Sequence, residues 1–243
     1  MTPTPGPPTL PPAESELMTD PLPDLTGRVA LVAGASRGLG RALAEALGAR
    51  GAEVIAVART VGGLEELDDA IRAAGGPQAV LVPMDVTDDA ALERLGAAVF
   101  DRWGRLDLLV HAAVDAPPLS PVEHIAAKDL DRCHAVTARS VTQVIRVADP
   151  LLRMAPAGRA AFFDDPHSRG KFRAAYASAK AAARVSVETW AAETAGLGLR
   201  VRLLSPPPMA TAVRARFHPG EDRSRLTAPR DAAAALLPAI LTD

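Results

Sequence analysis

The chain has a single cysteine, no strong charge of either sign and no long apolar run. One cysteine, Cys133, excludes an internal disulfide. The formal net charge of −2 gives no electrostatic reason to expect binding to nucleic acid or to an anionic membrane. The longest apolar stretch near the end, Ala232 to Leu241, is interrupted by Pro238 and is too short to cross a bilayer. We therefore expect a globular protein with a cytoplasmic location.

The first 24 residues contain eight prolines but neither lysine nor arginine. They hold no apolar run that could form the core of a signal peptide. Such a segment cannot bury enough apolar surface to offset the entropy of ordering it, so we expect a disordered tail over residues 1–24. A proline-rich ligand for a partner is the alternative. Residues 25–243 are expected to form one domain.

Short apolar runs alternate with longer helical segments after this tail. The runs predicted to be strands are Arg28–Ala33, Glu53–Ala58, Ala79–Met84, Leu106–Val110, Gly158–Phe163 and Leu199–Leu204. The predicted helices are Gly38–Arg50, Leu64–Ala74, one from Thr87 or Asp88 to Gly104, Ala126–Met154 with Pro150 as a candidate break, Phe172–Ala195 and Pro229–Leu241. Strands that are apolar on both faces and alternate with helices predict an α/β fold. We expect a Rossmann-type, doubly wound parallel sheet in three α/β/α layers.

A glycine-rich segment lies between the first predicted strand and the first predicted helix. Glycines there let the backbone turn sharply and approach a pyrophosphate, whose charge is attracted by the dipole of the new helix. The spacing Gly-x-x-x-Gly-x-Gly is not that of a P-loop, because Arg41 replaces the expected lysine. Tight strand–helix packing is the alternative explanation. The candidate dinucleotide-binding residues of this loop are Gly34, Ser36, Arg37, Gly38, Leu39 and Gly40.

The end of the second predicted strand bears on which dinucleotide binds. An acidic residue at this place would bind the ribose hydroxyls of NAD, whereas this chain has Ala58 and Arg59. Arg59, together with Arg37 of the glycine loop, suits the 2′-phosphate, so NADP(H) is favoured over NAD(H). Solvated surface arginines are the alternative. Asp85, after the third strand, is placed either to accept a hydrogen bond from the adenine amino group or to act as a turn residue.

Tyr176 is the only tyrosine of the chain, and Lys180 is one of three lysines. They stand four residues apart on a predicted helix and therefore share a face. A nearby ammonium favours the phenolate, so we expect Lys180 to bring the pKa of Tyr176 toward neutrality. Such a tyrosine can exchange the hydroxyl proton of a substrate while hydride moves to or from a carbonyl carbon. A surface tyrosine with an i,i+4 lysine is the alternative.

Taken together and in order, these segments resemble the short-chain dehydrogenase/reductase family from Leu25 to about Thr227. The matching segments are Ala33–Gly40, Asp85-Val86, Gly104–Val110 and Tyr176-Ala-Ser-Ala-Lys180. The resemblance implies NAD(P)-dependent oxidoreduction, with Tyr176 as the acid/base and Lys180 holding the nicotinamide ribose. A narrower similarity is to the bacterial branch that includes the oxidoreductase YciK, through the lid-like stretch Val213–Leu226 and the histidine at the end of the fourth strand.

Several positions around the expected nicotinamide depart from the family pattern. The family's Asn-Asn-Ala-Gly after the fourth strand is here His111-Ala112-Ala113-Val114, of which Ala112 and Ala113 are candidate cofactor-binding residues with Val86. The family's asparagine in the fourth helix is Thr137. Its active-site serine falls on Asp165, which is preceded by Asp164.

Asp165 is the departure with the largest chemical consequence. A serine hydroxyl can donate to a substrate carbonyl, whereas an ionised carboxylate only accepts and also raises the pKa of a neighbouring tyrosine. Asp165 could instead be protonated, point outward, or leave the donor role to His167 or Ser168. The candidate catalytic residues are therefore Tyr176, Lys180, Asp165 and Ser168. A degenerate relative that binds a dinucleotide or a protein partner without turnover is the alternative function.

The chain ends at Asp243, so we expect the last strand of the family to be missing. That strand builds one dimer interface in tetrameric relatives, and the two long helices predicted above build the other. We expect a homodimer through these helices, a small carbonyl or alcohol as substrate, and no nucleic-acid or membrane partner. No metal-binding spacing is present. The histidines His111, His124, His134 and His218 are expected at the surface or as caps.

Overall fold

The computed structural model describes residues 22–166 and 168–242. Most of the predicted tail therefore lies outside the described residues, and so does His167. Of the tail, residues 22–24 are described, and Leu22 packs at the edge of the core. The strands are β1 (Val29–Ala33), β2 (Glu53–Ala58), β3 (Val80–Pro83), β4 (Leu108–His111), β5 (Arg159–Phe163) and β6 (Arg200–Leu204).

The six strands form one sheet in the order β3-β2-β1-β4-β5-β6, and every neighbouring pair is parallel. The direction of winding reverses between β1 and β4, so the loops that follow these two strands diverge and leave a crevice at the carboxyl edge. This topology confirms the predicted doubly wound, Rossmann-type sheet. Between residues 22 and 242, His167 aside, the sheet has no seventh strand, as expected.

The helices connect the strands and cover both faces of the sheet. They are α1 (Gly38–Gly48), α2 (Val61–Ala73), α3 (Asp89–Trp103), α4 (Ala127–His134), α5 (Ser140–Arg153), α6 (Ala174–Glu193), α7 (Ala212–Phe217) and α8 (Pro229–Leu241). None of the helices described here is long and apolar enough to cross a membrane.

One expectation about the helices is wrong. Pro150 lies inside α5 and does not end it, because proline removes only one backbone donor and the apolar face of this helix stays packed through Val144, Leu151 and Leu152. The irregularity comes earlier, where a π-helical segment, Ala135–Arg139, joins α4 to α5. Wide π-helical turns are frequent at functional sites.

Two apolar layers hold the sheet between the helices. In β1 all five residues are buried, and they alternate between the two layers. The first layer joins β1 and β2 to α1, α2 and α8, and the second joins the sheet to α3, α5 and α6. Because every strand residue of β1 is covered, a continuous apolar run there is the expected signature of a buried parallel strand. The layers fix the ends of β1, β2, β4 and β5 around the crevice.

Candidate active site

A cavity of about 520 Å³ occupies the crevice at the carboxyl edge of the sheet. Every residue predicted to bind the dinucleotide lines it, namely Gly34, Ser36, Arg37, Gly38, Leu39, Gly40, Arg59, Asp85, Val86, Ala112 and Ala113. Tyr176, Lys180 and Asp165 line the same cavity. The fold therefore brings the glycine loop and the Tyr–Lys pair to opposite parts of one site.

The three glycines of the loop have different structural roles. Gly34 has a φ of +88°, and a Cβ there would lie 2.7 Å from the backbone nitrogen of Ala113. A Cβ at Gly40 would run into the carbonyl oxygen of Gly34. A Cβ at Gly38 would meet only the Thr211 side chain, at 3.5 Å. The packing alternative thus explains Gly34 and Gly40, while Gly38 has a φ of +59°, which favours glycine, and lines the cavity.

The start of α1 is suited to an anion. Arg37 occupies the N-cap position, and no side chain caps the first turn of this helix. The first amides of an α-helix have no intrahelical partner, and they carry the positive end of the helix dipole. These donors line the cavity together with Ser36 and Gly38, as a pyrophosphate requires.

Arg37 and Arg59 lie at the mouth of the cavity and are both exposed. Within the described part of the chain neither guanidinium forms an ion pair. The cavity wall at the end of β2 consists of Ala58, Arg59 and Thr60, without a carboxylate. The chemistry of this wall fits the 2′-phosphate of NADP(H) better than two free ribose hydroxyls.

Asp85 has partners for both carboxylate oxygens. Its Oδ1 accepts from the backbone nitrogen of Thr87 at 3.0 Å and from the Thr87 hydroxyl at 2.8 Å, and its Oδ2 accepts from Arg132 at 2.9 Å. Burial would raise the pKa of Asp85, but the hydrogen bonds from Thr87 and Arg132 outweigh it and lower this pKa. These contacts match the turn interpretation, and the adenine contact stays a prediction.

Tyr176 and Lys180 lie one turn apart on α6 and are both buried, with exposed fractions of 4% and 6%. The Lys180 ammonium donates to the carbonyl oxygen of Phe163, the last residue of β5. Burial lowers the pKa of Lys180, and the carboxylates of Asp164 and Asp165 act in the opposite direction. Each side chain therefore faces the cavity from a packed and well-fixed position.

The expected effect of Lys180 on Tyr176 does not appear. Burial raises the pKa of Tyr176 above its ordinary value of 10, and Asp165, the Cys133 thiol and Asp164 raise it further. Burial is the main cause, and the ammonium, which is directed at a backbone carbonyl, does not offset the two carboxylates that line the same cavity. Tyr176 is thus a neutral phenol at physiological pH, the form that donates a proton.

The segment after β5 places the two remaining catalytic candidates apart. Asp165 lines the cavity, and its carbonyl accepts from the backbone nitrogen of Ser168 at 2.9 Å. Ser168 is buried but is not part of the cavity wall. The structure thus brings Asp165, and not Ser168, to Tyr176. His167 is outside the described residues.

The expectation of a surface position for His111 is wrong. Its side chain is 4% exposed, stacks on the Phe162 ring at 5.8 Å and places Nε2 3.1 Å from the Ser140 hydroxyl. Burial, and next the charge of Lys180, lower the pKa of His111 to about 4, so the imidazole is neutral. The sequence did contain a signal, since this histidine ends a run of three buried apolar residues in β4.

Thr137, which replaces the family's asparagine, lies in the π-helical segment and is 2% exposed. Its hydroxyl accepts from the backbone nitrogen of Asp115 at 3.0 Å. The threonine thereby ties the loop after β4 to the wall beside Tyr176. Thr137 also lines the cavity, so we assign it a structural role in the wall.

The first part of the lid-like stretch lies in α7, which contacts the tyrosine through Phe217. The rings of Phe217 and Tyr176 lie 4.8 Å apart, and Phe217 is buried. Arg173 packs over the Phe217 ring at 5.8 Å and donates to its carbonyl at 3.2 Å. Arg214 forms a two-point ion pair with Glu221. The two arginines were not predicted, because arginine is common in this chain and nothing in its spacing singles them out.

Residues 28–222 match the family model described as short chain dehydrogenase. The fold, the glycine loop and the Tyr–Lys pair thus define an oxidoreductase of this class. The chain belongs to the short-chain dehydrogenase/reductase family.

Individual relatives resemble the chain over different lengths. A short chain dehydrogenase of Pseudocercospora fijiensis is 30% identical over 230 residues, which span 88% of this chain and 74% of that protein. The match to the sorbitol dehydrogenase of Cereibacter sphaeroides is 38% identical but spans only 46% of this chain and 42% of that enzyme.

Solved structures resemble the chain over most of its length. The oxidoreductase YciK of Escherichia coli has a TM-score of 0.84 at 27% identity, covering 90% of this chain and 91% of that one. A short chain dehydrogenase of Escherichia coli CFT073, complexed with NADPH, has a TM-score of 0.84 at 26% identity, covering 90% and 93%. The resemblance to the YciK branch is thus confirmed.

Proposed function

We propose that the protein is an NADP(H)-dependent oxidoreductase that interconverts a small carbonyl compound and the corresponding alcohol. The observation that carries this proposal is the single cavity shared by the uncapped start of α1, the paired residues Tyr176 and Lys180, and two exposed arginines. When bound, the nicotinamide would supply or accept the hydride. The chain itself binds and orients the cofactor and the substrate, and it moves the proton.

NADP(H) would be held in the half of the site formed by β1, β2 and α1. The amides at the start of α1 would bind the pyrophosphate, and Arg37 and Arg59 the 2′-phosphate. The complex of the Escherichia coli CFT073 relative with NADPH supports this preference over NAD(H). Val86, Ala112 and Ala113 would form the walls beside the adenine and the nicotinamide.

Tyr176 would act as the acid in carbonyl reduction, with its hydroxyl proton passing to the developing alkoxide. Its raised pKa keeps the phenol protonated until the substrate oxygen becomes more basic. Lys180 would hold the nicotinamide ribose, as the family resemblance implies. Asp165 would lie beside the reacting group, where a serine stands in most relatives.

The direct test is Tyr176→Phe, which removes one oxygen and keeps the ring packed on Phe217. We expect NADPH binding to be unchanged and turnover on any carbonyl substrate found to fall by about 10²- to 10⁴-fold, the usual contribution of a general acid. Unchanged turnover would refute the mechanism. Binding of NADPH without turnover by the wild type, across a broad carbonyl panel, would favour a dinucleotide-binding protein without catalysis.

We also propose that the protein acts in the cytoplasm and forms a homodimer through the helical layer of α4, α5 and α6. Support for the dimer comes from the family resemblance and from Val185, which is apolar, lies on α6 and is 57% exposed. Fractionation of cells and light scattering of the purified chain test the two proposals separately.

A further inference from the structure

A third apolar cluster surrounds Tyr176, apart from the two layers that hold the sheet. Its buried members are Cys133, Tyr176, Ala179 and Phe217. Four partly buried apolar residues pack against them, namely Val114, Ala116, Ala138 and Val213. These residues come from the loop after β4, from α4 and the π-helical segment, from α6 and from α7. The surroundings of the tyrosine are therefore built by several separate parts of the chain, and they are mainly apolar.

Phe217 fills the space on one side of the Tyr176 ring. The two ring centroids lie 4.8 Å apart, at an interplanar angle of 49°, and only 6% of Phe217 is exposed. Both residues also line the cavity. Aromatic rings at this separation are in contact, so a substituent as large as a phenyl ring cannot enter between Phe217 and the phenol. Phe217 is thus a wall of the cavity at the tyrosine.

Contacts with two neighbouring segments hold this wall in place. Arg173, just before α6, donates to the carbonyl of Phe217 and packs over its ring. Arg216, the preceding residue of α7, donates to the carbonyl of Ala116 at 2.6 Å and so joins α7 to the loop after β4. Both bonds involve the main chain, which leaves the Phe217 ring little freedom to turn away. The ring therefore limits the space at Tyr176.

Val114 narrows the same region from the loop after β4. It stands where the family has a glycine, and its branched side chain packs against the cluster and lines the cavity. The whole cavity has a volume of about 520 Å³. Pockets of roughly 300–1,000 Å³ hold one drug-sized ligand, and a dinucleotide is larger than that. Once the cofactor is bound, only a small space bounded by Val114 and Phe217 is left for a substrate.

We propose that Phe217, supported by Val114, sets the upper size limit of the substrate, so that the site accepts a carbonyl compound with small aliphatic substituents and excludes an aryl ketone. The proposal rests on the proposed function, since it defines the substrate class of the same site. A packed apolar wall discriminates by size because a group that does not fit must push packed atoms aside. Removal of the Phe217 ring leaves a space of the size of a phenyl group beside Tyr176, which an aryl substrate can occupy.

Binding of the product alcohols gives a test that does not depend on turnover. 2-Butanol, with two small substituents, and 1-phenylethanol, with a phenyl ring, are titrated by calorimetry into the full chain saturated with NADP⁺. The wild type should bind 2-butanol more tightly. Phe217→Ala should strengthen the binding of 1-phenylethanol by about 10- to 100-fold, as expected for burial of one aromatic ring, with little change for 2-butanol. Phe217→Leu, which keeps more of the packing of α7, should act in the same direction with a smaller effect.

Phe100→Ala is the matched control, because Phe100 is an exposed phenylalanine of α3 outside the cavity wall, and it should leave both affinities unchanged. The double variant Phe217→Ala/Tyr176→Phe should bind 1-phenylethanol about 2- to 10-fold less tightly than Phe217→Ala, the usual contribution of one hydrogen bond. Circular dichroism and NADPH binding show that each variant is folded. If both Phe217 variants bind 1-phenylethanol no better than the wild type, or if the added Tyr176→Phe change has no effect, the proposal is overturned.

Turnover gives the second test. With NADPH, the ratio of kcat/KM for acetophenone to kcat/KM for butanone should rise by about 10- to 100-fold from the wild type to Phe217→Ala. Comparison of this ratio between variants cancels the different intrinsic reactivity of the two ketones. A wild type that prefers acetophenone, or a ratio that Phe217→Ala leaves unchanged, would overturn this proposal and leave the proposed function intact. Absence of NADPH binding would instead defeat the proposed function.

Discussion

A buried histidine ends β4 where the family has an asparagine. His111 is enclosed by Phe162, Ser140 and the positive charge of Lys180, and its pKa is lowered to about 4 by burial and then by that charge. The unfolded chain takes up a proton at this histidine near its ordinary pKa of 6.5, whereas the folded protein resists protonation until about pH 4. Between these values the unfolded state binds more protons, so the free energy of unfolding decreases as the pH falls.

We predict that this one group makes the protein about 2 kcal/mol less stable at pH 5 than at pH 7. His111→Asn should remove this component, while His124→Asn, at an exposed histidine, should keep it. The measurement is urea unfolding of the three proteins at both pH values, compared by the change between the two. If the wild type loses no more stability between pH 7 and pH 5 than His111→Asn does, the assigned burial is contradicted.

The sequence places Tyr176 and Lys180 on one helix face, but it does not determine the electrostatics of this pair. Tyr176 and Lys180 stand out because both residue types are rare here and their spacing places them on one helix face. The direction of the Tyr176 pKa depends on where the ammonium points and which carboxylates approach, and these are tertiary facts. For the same reason the sequence left Ser168 open as an alternative donor to Asp165, whereas Ser168 is not part of the cavity wall.

At the scale of elements, the turn from β1 into α1 combines a packing requirement with a binding role. Gly34 has a positive φ, and any side chain would press on the backbone of Ala113. The backbone of Ala113 cannot move aside as a flexible side chain can. The positive φ and this close contact therefore both oppose substitution of Gly34.

We predict that Gly34→Ala lowers the free energy of unfolding by roughly 2 to 4 kcal/mol. Gly62→Ala is the control, since Gly62 lies within α2 and a Cβ there would meet nothing within 4 Å. That change should be neutral or stabilise by up to about 1 kcal/mol, because alanine favours helix more than glycine. Thermal or urea unfolding compares the two, and equal stabilities would show that the turn is not constrained as described.

Strand and helix boundaries could be predicted where a local pattern of apolar and charged residues marks both ends of the element. β2 was predicted at its exact bounds because an unbroken apolar run follows Glu53 and ends at Arg59. The π-helical segment Ala135–Arg139 was not predicted, since neither proline nor glycine marks it. The wide turn is held by contacts made across the molecule, with Thr137 bound to the loop after β4.

At the scale of the whole molecule, the helical layer of α4, α5 and α6 is the expected place of self-association. Val185 is exposed on α6 although it is apolar. Burying a glutamate at a subunit interface without a partner is costly.

We predict that Val185→Glu converts the homodimer into a monomer, whereas Glu188→Gln on the same helix leaves the dimer intact. Light scattering coupled to size-exclusion chromatography gives the mass directly. A wild type that elutes as a monomer, or a variant that remains dimeric, would contradict this interface.

The central claim is that the cavity selects NADP(H) through Arg37 and Arg59, and equilibrium titration with NADPH and NADH tests it most directly. The wild type should bind NADPH more tightly than NADH. Arg59→Ala and Arg37→Ala should each weaken the binding of NADPH by about 10- to 100-fold, the usual contribution of a hydrogen bond to a charged group. The affinity for NADH should stay unchanged. Arg94→Ala, at an exposed arginine of α3 outside the cavity wall, should change neither affinity. Tight binding of NADH with no binding of NADPH would contradict the account.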